Sequence, residues 1–153
     1  MRNLRRKRKV GKLHEAMVDL FALMNRPQRD DALLKEARIS LDRALFPLLV
    51  GIGRRGPIGV VDLAGGVGRD YTTVSRQVSK LERLRLIKRK PSPSDGRVNE
   101  AVLTREGRAL IHALEAARLR LAAPILAKWS DKDFGDLLRL MRRFVDDLME
   151  LPE

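Results

Sequence analysis

Between Val60 and Leu84 the chain reverses direction once, within a few residues, and that turn limits the folds open to it. Val60 to Ala64 reads as a short helix that Gly65, Gly66 and Gly68 bring to an end. Asp70 then stands where an N-cap belongs, its carboxylate able to accept from the orphan N–H groups of a helix running to about Leu84. On a helical wheel Val74, Val78 and Leu81 share one face, which must be the buried one. The opposite face carries Thr72, Arg76, Ser79 and Arg83, flanked by Thr73, Ser75 and Lys80. It holds hydroxyls and cations and no acid, whereas a face that serves only solubility mixes both signs of charge. Short hydroxyls let a helix approach phosphates closely, and arginine can meet a guanine edge with two hydrogen bonds.

The segment after this helix supports the same reading. Ile87 to Lys90 has the character of a short strand, Val98 to Leu103 that of its partner, and Pro91-Ser92-Pro93-Ser94-Asp95-Gly96 that of the hairpin tip. Arg97 places a cation at that tip. A hairpin alone is an ordinary surface feature. Directly after a basic helix it has the form of a wing beside a reading head.

The flanks are helical. Val10, Leu13, Met17, Leu20, Phe21 and Met24 recur at helical spacing until Asn25-Arg26-Pro27 stops them. A less regular helix covers Asp30 to Arg38, and another runs from about Leu41 to Gly53, with Pro47 as its kink or its true start. Gly56-Pro57 reads as a turn. Thr104 caps a helix to about Lys128, bent near Pro124, and Ser130 with Asp133 forms a capping box for the last one. That helix carries Phe134, Leu137, Leu138, Met141, Phe144, Val145 and Leu148 as one apolar stripe. The expected divisions are a basic arm over 1–9, either unstructured and non-specific or a specific groove contact, N-terminal helices over 10–40, a central region over 41–104, and C-terminal helices over 105–153. The middle region is too small to cover apolar stripes at both ends, so a second copy of the chain is the simplest cover.

Charge indicates the partner. The formal net charge is +12 in 153 residues, so a polyanion is attracted at physiological pH. Arg2, Arg5, Arg6, Lys7, Arg8, Lys9 and Lys12 precede any acid, and a second basic stretch spans Arg69 to Arg97. RNA-binding modules stack bases on aromatic rings, but here Phe21, Phe46, Phe134 and Phe144 sit in apolar stripes and only Tyr71 lies in the basic region. An RNA-binding or non-specific nucleoid-associated basic protein is therefore the alternative reading. A membrane-surface role rests only on Trp129 beside Lys128, and no membrane partner is expected. There is no cysteine, so thiol chemistry and thiolate metal sites are excluded, and a cytoplasmic location is expected. The two histidines, His14 and His112, lie on helices patterned for packing, and no nucleophile motif or phosphate loop accompanies them. No enzyme activity, metal or cofactor is expected.

The ordered set Gly56-Pro57, Val61-Asp62-Leu63-Ala64, Thr72-Thr73-Val74-Ser75-Arg76, Asp95-x-Arg97 and Leu103-Thr104-x-x-Gly107 resembles the MarR family of bacterial transcriptional regulators. The resemblance covers roughly Leu41 to Arg108. It implies a mainly α fold with a small β-hairpin wing, a winged helix-turn-helix whose first and last helices form a homodimer. It further implies a sequence-specific regulator of double-stranded DNA, in the repressor sense, on a pseudo-palindromic operator, released by a small-molecule effector. By position, Thr72, Thr73, Ser75 and Arg76 would make base or phosphate contacts and Arg97 the minor-groove contact; Ser79 and Lys80, from the same outward face and its flank, complete the expected DNA-binding set. Asp95 would brace the wing, since DNA repels a carboxylate. Two features depart from the pattern: Arg85 stands where the family usually has a glycine, which changes the turn into the wing, and the arm from Met1 to Lys9 is more basic than the pattern requires.

Overall fold

A computed structural model describes residues 2–151 of the chain. In order these form helix α1 (Arg2–Met24), α2 (Pro27–Glu36), a 3-10 turn (Arg43–Leu45), α3 (Phe46–Arg55), strand β1 (Ile58–Gly59), α4 (Val60–Val67), α5 (Tyr71–Arg83), β2 (Ile87–Pro91), β3 (Asn99–Leu103), α6 (Arg105–Leu126) and α7 (Asp131–Met149). The three strands make one antiparallel sheet in the order β1-β3-β2.

Several boundaries differ from the sequence expectation, each for a local reason. The expected arm is not a separate segment: Arg2 to Lys9 are helical and continuous with α1, and Met1 lies outside the described residues. The helix expected from Leu41 is divided. Asp42 caps the 3-10 turn by accepting from the Ala44 N–H at 3.0 Å, and α3 begins only at Phe46. Pro47 sits in the first turn of α3, where a missing N–H costs nothing, so it marks a start and not a kink. In α4, Gly65 and Gly66 remain helical, and only Gly68, left-handed at φ 64°, ends the helix. β1 has no counterpart in the sequence pattern. Its two residues pair with β3, Ile58 opposite Ala101 and Gly59 opposite Glu100.

The main core lies in the middle of the chain. Leu45, Leu48, Leu49 and Ile52 meet Leu63 of α4, Val74, Val78 and Leu81 of α5, and Ile87 and Ala101 of the sheet. This is the face that the wheel assigned to the interior, and it fixes α5 so that the opposite face points outward. A second, smaller cluster joins Leu33 and Leu34 of α2 to Leu114 and Ala117 of α6. The terminal helices are different. None of the residues of α7 is buried in the single chain, and Phe134, Leu137, Leu138 and Met141 are exposed together. On α1, Val10, Leu13, Val18, Phe21 and Met24 are exposed as well.

The turn into the wing is tightly built. Arg85 adopts the left-handed conformation itself, at φ 60°, so the turn survives without its glycine. The Arg85 carbonyl accepts from the Thr104 hydroxyl at 2.7 Å, and the Leu86 carbonyl from the Thr104 N–H at 3.1 Å. The same hydroxyl caps α6 by accepting from the Gly107 N–H at 3.0 Å. A Cβ at Gly107 would overlap the Leu86 carbonyl, which is why a glycine stands there.

Candidate nucleic-acid interface

α5 starts where Asp70 accepts from the Thr73 N–H at 2.8 Å. The Thr73 hydroxyl, then that N–H, hold the Asp70 carboxyl below the usual aspartate range, and the charge of Arg76 adds to the effect. Past this cap the buried stripe of Val74, Val78 and Leu81 sets the rotation of the helix. Thr72, Arg76, Lys80 and Arg83 lie on or beside the outward face, and Thr73, Ser75 and Ser79 flank them closer to the body of the domain. Ser75, Arg76, Ser79, Glu82 and Arg83 line an open concavity of about 420 Å³.

The expected contacts are not all equally free. The Ser79 hydroxyl donates to the Ser75 carbonyl at 3.0 Å and accepts from Arg89 Nη2 at 2.7 Å, so its proton and one of its two lone pairs are taken up inside the chain. Lys80 Nζ lies 3.0 Å from Asp42 Oδ2 and is tied to the 3-10 turn. That ammonium, after the Ala44 N–H, holds the Asp42 carboxyl below its ordinary value. By contrast, among the described residues Arg76 and Arg83 have no ion-pair or hydrogen-bond partner for their guanidinium groups. Arg97 shares that freedom. Its backbone N–H donates to the Asp95 carboxylate at 3.0 Å, so Asp95 shapes the tip and Arg97 presents its side chain.

Two residues missed from sequence hold this surface together. Arg69 donates from Nη1 to the Ala44 carbonyl at 2.7 Å and to Gln77 Oε1 at 3.0 Å, joining the 3-10 turn, the α4–α5 turn and α5. Arg89 on β2 bonds Ser79 and places its Nε 3.2 Å from Glu82 Oε2. That Nε is buried and lies off the hydrogen-bonding direction, so its contact with Glu82 is ionic only. Arg89 could have been found from period two: it shares the inward face with Ile87, and an inward cation requires an acid.

A second cavity, of about 470 Å³, is lined by residues of α1, α2, α3 and α6. Met24, Leu33, Phe46 and Ile125 give it an apolar wall, and Arg29, Arg118 and the acid Asp30 line it as well. Elsewhere, His112 Nδ1 lies 3.5 Å from Glu115 on an exposed stretch of α6. Among the described residues no cluster of three or more His, Asp or Glu could hold a metal ion. No described helix is long and apolar enough to cross a membrane.

Known proteins share this arrangement. Residues 41–98 match the model of the MarR family. The chain is 37% identical over 111 residues to the HTH-type transcriptional regulator YxaD of Bacillus subtilis (strain 168), a match that spans 70% of this chain and 78% of that protein. Its fold is similar to that of a MarR family protein from Bacillus stearothermophilus, with a TM-score of 0.77 and 21% identity, covering 94% of this chain and 98% of the other. It is also similar to Staphylococcus aureus MarR in complex with salicylate and kanamycin, with a TM-score of 0.69 and 18% identity over 94% and 97% of the two chains.

Proposed function

The chain belongs to the MarR family, and on that premise we propose that it is a homodimeric repressor that binds a pseudo-palindromic DNA operator and is released by a small anion. It is an HTH-type transcriptional regulator. The observation that carries the proposal is the outward face of α5. Among the described residues it offers two unpaired arginines and Thr72, it holds no unpaired acid, and it stands beside a wing whose own arginine is free. A helix of that kind fits the major groove, where arginine discriminates guanine, while a wing arginine fits the narrower minor groove.

The homodimer is supported by the terminal helices. In the single chain they expose two long apolar faces, and contiguous exposed apolar surface of this kind marks an interface. A dimer would also give two α5 helices, which a two-fold operator requires. The second cavity supports the effector. Its apolar wall and two guanidinium groups, set against the one carboxylate of Asp30, suit a flat apolar anion such as an aromatic carboxylate, and Phe46 connects it to the 3-10 turn that holds Lys80.

The reading is tested by footprinting the purified full-length chain on its own genomic DNA, with total RNA as competitor. Protection of a few two-fold sites, unaffected by equal masses of RNA, is expected. Uniform coating of DNA, or displacement by RNA, would favour a general basic nucleic-acid binder, the reading that the +12 charge alone would support.

A further inference from the structure

Arg83 makes no contact that fixes the fold. It is exposed, and among the described residues its guanidinium has no partner. Arg76 is in the same condition seven residues earlier. Seven residues are close to two helical turns, so the two side chains leave α5 in nearly the same direction, about 10.5 Å apart along the axis. Base pairs in a duplex are stacked about 3.4 Å apart, so for a helix laid along the groove that separation corresponds to about three steps. Both arginines line the same concavity. Between them, Ser79 is held down by Arg89, and Glu82 lies 3.2 Å from the Arg89 Nε. The acid nearest Arg83 is therefore neutralised by the wing strand, and the middle of the helix is kept low between two projecting guanidinium groups.

We propose that Arg83 is a second base-reading residue, so that each operator half-site carries two guanines about three base pairs apart, one read by Arg76 and one by Arg83. This rests on the proposed function above and adds to it the spacing of the sequence read. A guanidinium makes two hydrogen bonds to the O6 and N7 of guanine, whereas an ammonium is a point charge. Arg83→Lys therefore separates reading from simple attraction, because it keeps the charge and removes the fork.

The experiment is selection of bound duplexes from a random library by the full-length wild type and by Arg76→Ala, Arg83→Ala and Arg83→Lys. The wild type is expected to enrich two G·C pairs about three steps apart in each half. Both Arg83 variants should lose the preference at one of them, by roughly 5- to 150-fold, and keep the other. Arg76→Ala should do the reverse. Arg83 is exposed, so its variants should melt like the wild type, and thermal melting checks this. If Arg83→Lys selects the wild-type motif at full strength, or Arg83→Ala weakens all sequences equally, Arg83 only meets phosphate and the proposal is overturned. A motif with a single guanine per half overturns it too, while leaving a sequence-specific regulator intact. A library with no enriched motif removes the specific-regulator reading itself, and this proposal with it.

Discussion

Arg89 donates to the Ser79 hydroxyl at 2.7 Å, a bond between residues ten apart that ties strand β2 to helix α5. The same guanidinium is 3.2 Å from Glu82 one turn along. The half-buried Arg89 thus adds a polar tie to the Ile87 packing that holds the wing against the helix beside it. Because the helix and the wing address different grooves, the angle between them decides whether both can engage the same duplex.

Arg89→Ala is therefore expected to cost binding specificity as well as stability. A charge-assisted hydrogen bond of this kind contributes about 1.5–3 kcal/mol, and its removal also leaves Glu82 as an unpaired acid beside the DNA. Operator affinity should fall further than affinity for random duplex. Arg89→Lys should restore it only in part, since a single nitrogen replaces the Nη2 and Nε that meet Ser79 and Glu82 separately. Titration of both duplexes with each variant checks this, and full rescue by lysine would show that only charge matters.

The turn before β2 yields two opposite expectations. Arg85 holds φ 60°, a conformation that costs a side-chain-bearing residue roughly 1–2 kcal/mol and glycine little. Arg85→Gly should therefore raise the melting temperature, reduced only by the extra freedom of glycine in the unfolded chain. Gly107→Ala should lower it, by about 1–3 kcal/mol of stability, because its Cβ meets the Leu86 carbonyl backbone. Thermal melts of the two variants are enough. A neutral Gly107→Ala would mean that α6 shifts freely against the turn.

Local chemistry is legible in the sequence, and long-range pairing is not. The caps at Asp70, Thr104 and Ser130 can be read directly because each bonds a residue three positions on. The buried stripe of α5 is legible from its 3.6-residue period. β1 is not, since two residues show no period and exist as a strand only through β3. The partners of Ser79 and Lys80 lie ten and 38 residues away, so only the folded chain reveals that these two are engaged. Arg85 is legible as a departure, but not whether the backbone accepts the left-handed turn there.

Association should be obligatory. The expected state at low micromolar concentration is a dimer, measured by light scattering. Changing Leu138 and Met141, both exposed on α7 in the single chain, to Asp should give monomers or aggregates and abolish operator binding. A well-folded wild-type monomer would contradict the assignment of the terminal helices.

The cap of α5 should titrate. The Asp70 carboxyl is lowered from its ordinary value of 3.8, chiefly by the Thr73 hydroxyl and N–H. A depressed folded value means that the contribution is fully present above the unfolded value and is lost as pH falls through the folded one. The stability difference between wild type and Asp70→Asn should hence be level near neutral pH and shrink only below about 3.8. Asparagine keeps the acceptor without the titration, so a parallel decline in both proteins would place the acid sensitivity elsewhere.

Affinity and sequence reading should be separable by mutation. Phosphate contacts supply attraction without sequence information, whereas base contacts supply discrimination. Arg6, Lys7, Arg8 and Lys9 are exposed on α1 with no acid near them in sequence, so deleting residues 1–9 should weaken operator and random duplex alike. It should also flatten the salt dependence of both, by about 0.9 in the log–log slope for each phosphate that the arm no longer neutralises. The rest of α1 keeps its apolar residues from Val10 onward, so the variant should remain a dimer. Arg76→Ala should instead cost roughly 1–3 kcal/mol on the operator and less on random duplex, narrowing the ratio between them. Arg97→Ala should weaken binding most where A·T-rich steps narrow the minor groove, because a narrow groove concentrates negative potential. Titrating the three proteins against operator and scrambled duplexes at several salt concentrations separates these effects. If Arg76→Ala lowered both affinities equally while the deletion erased specificity, the reading element would be the N-terminal end of α1. The winged domain would then be no more than a platform that carries it.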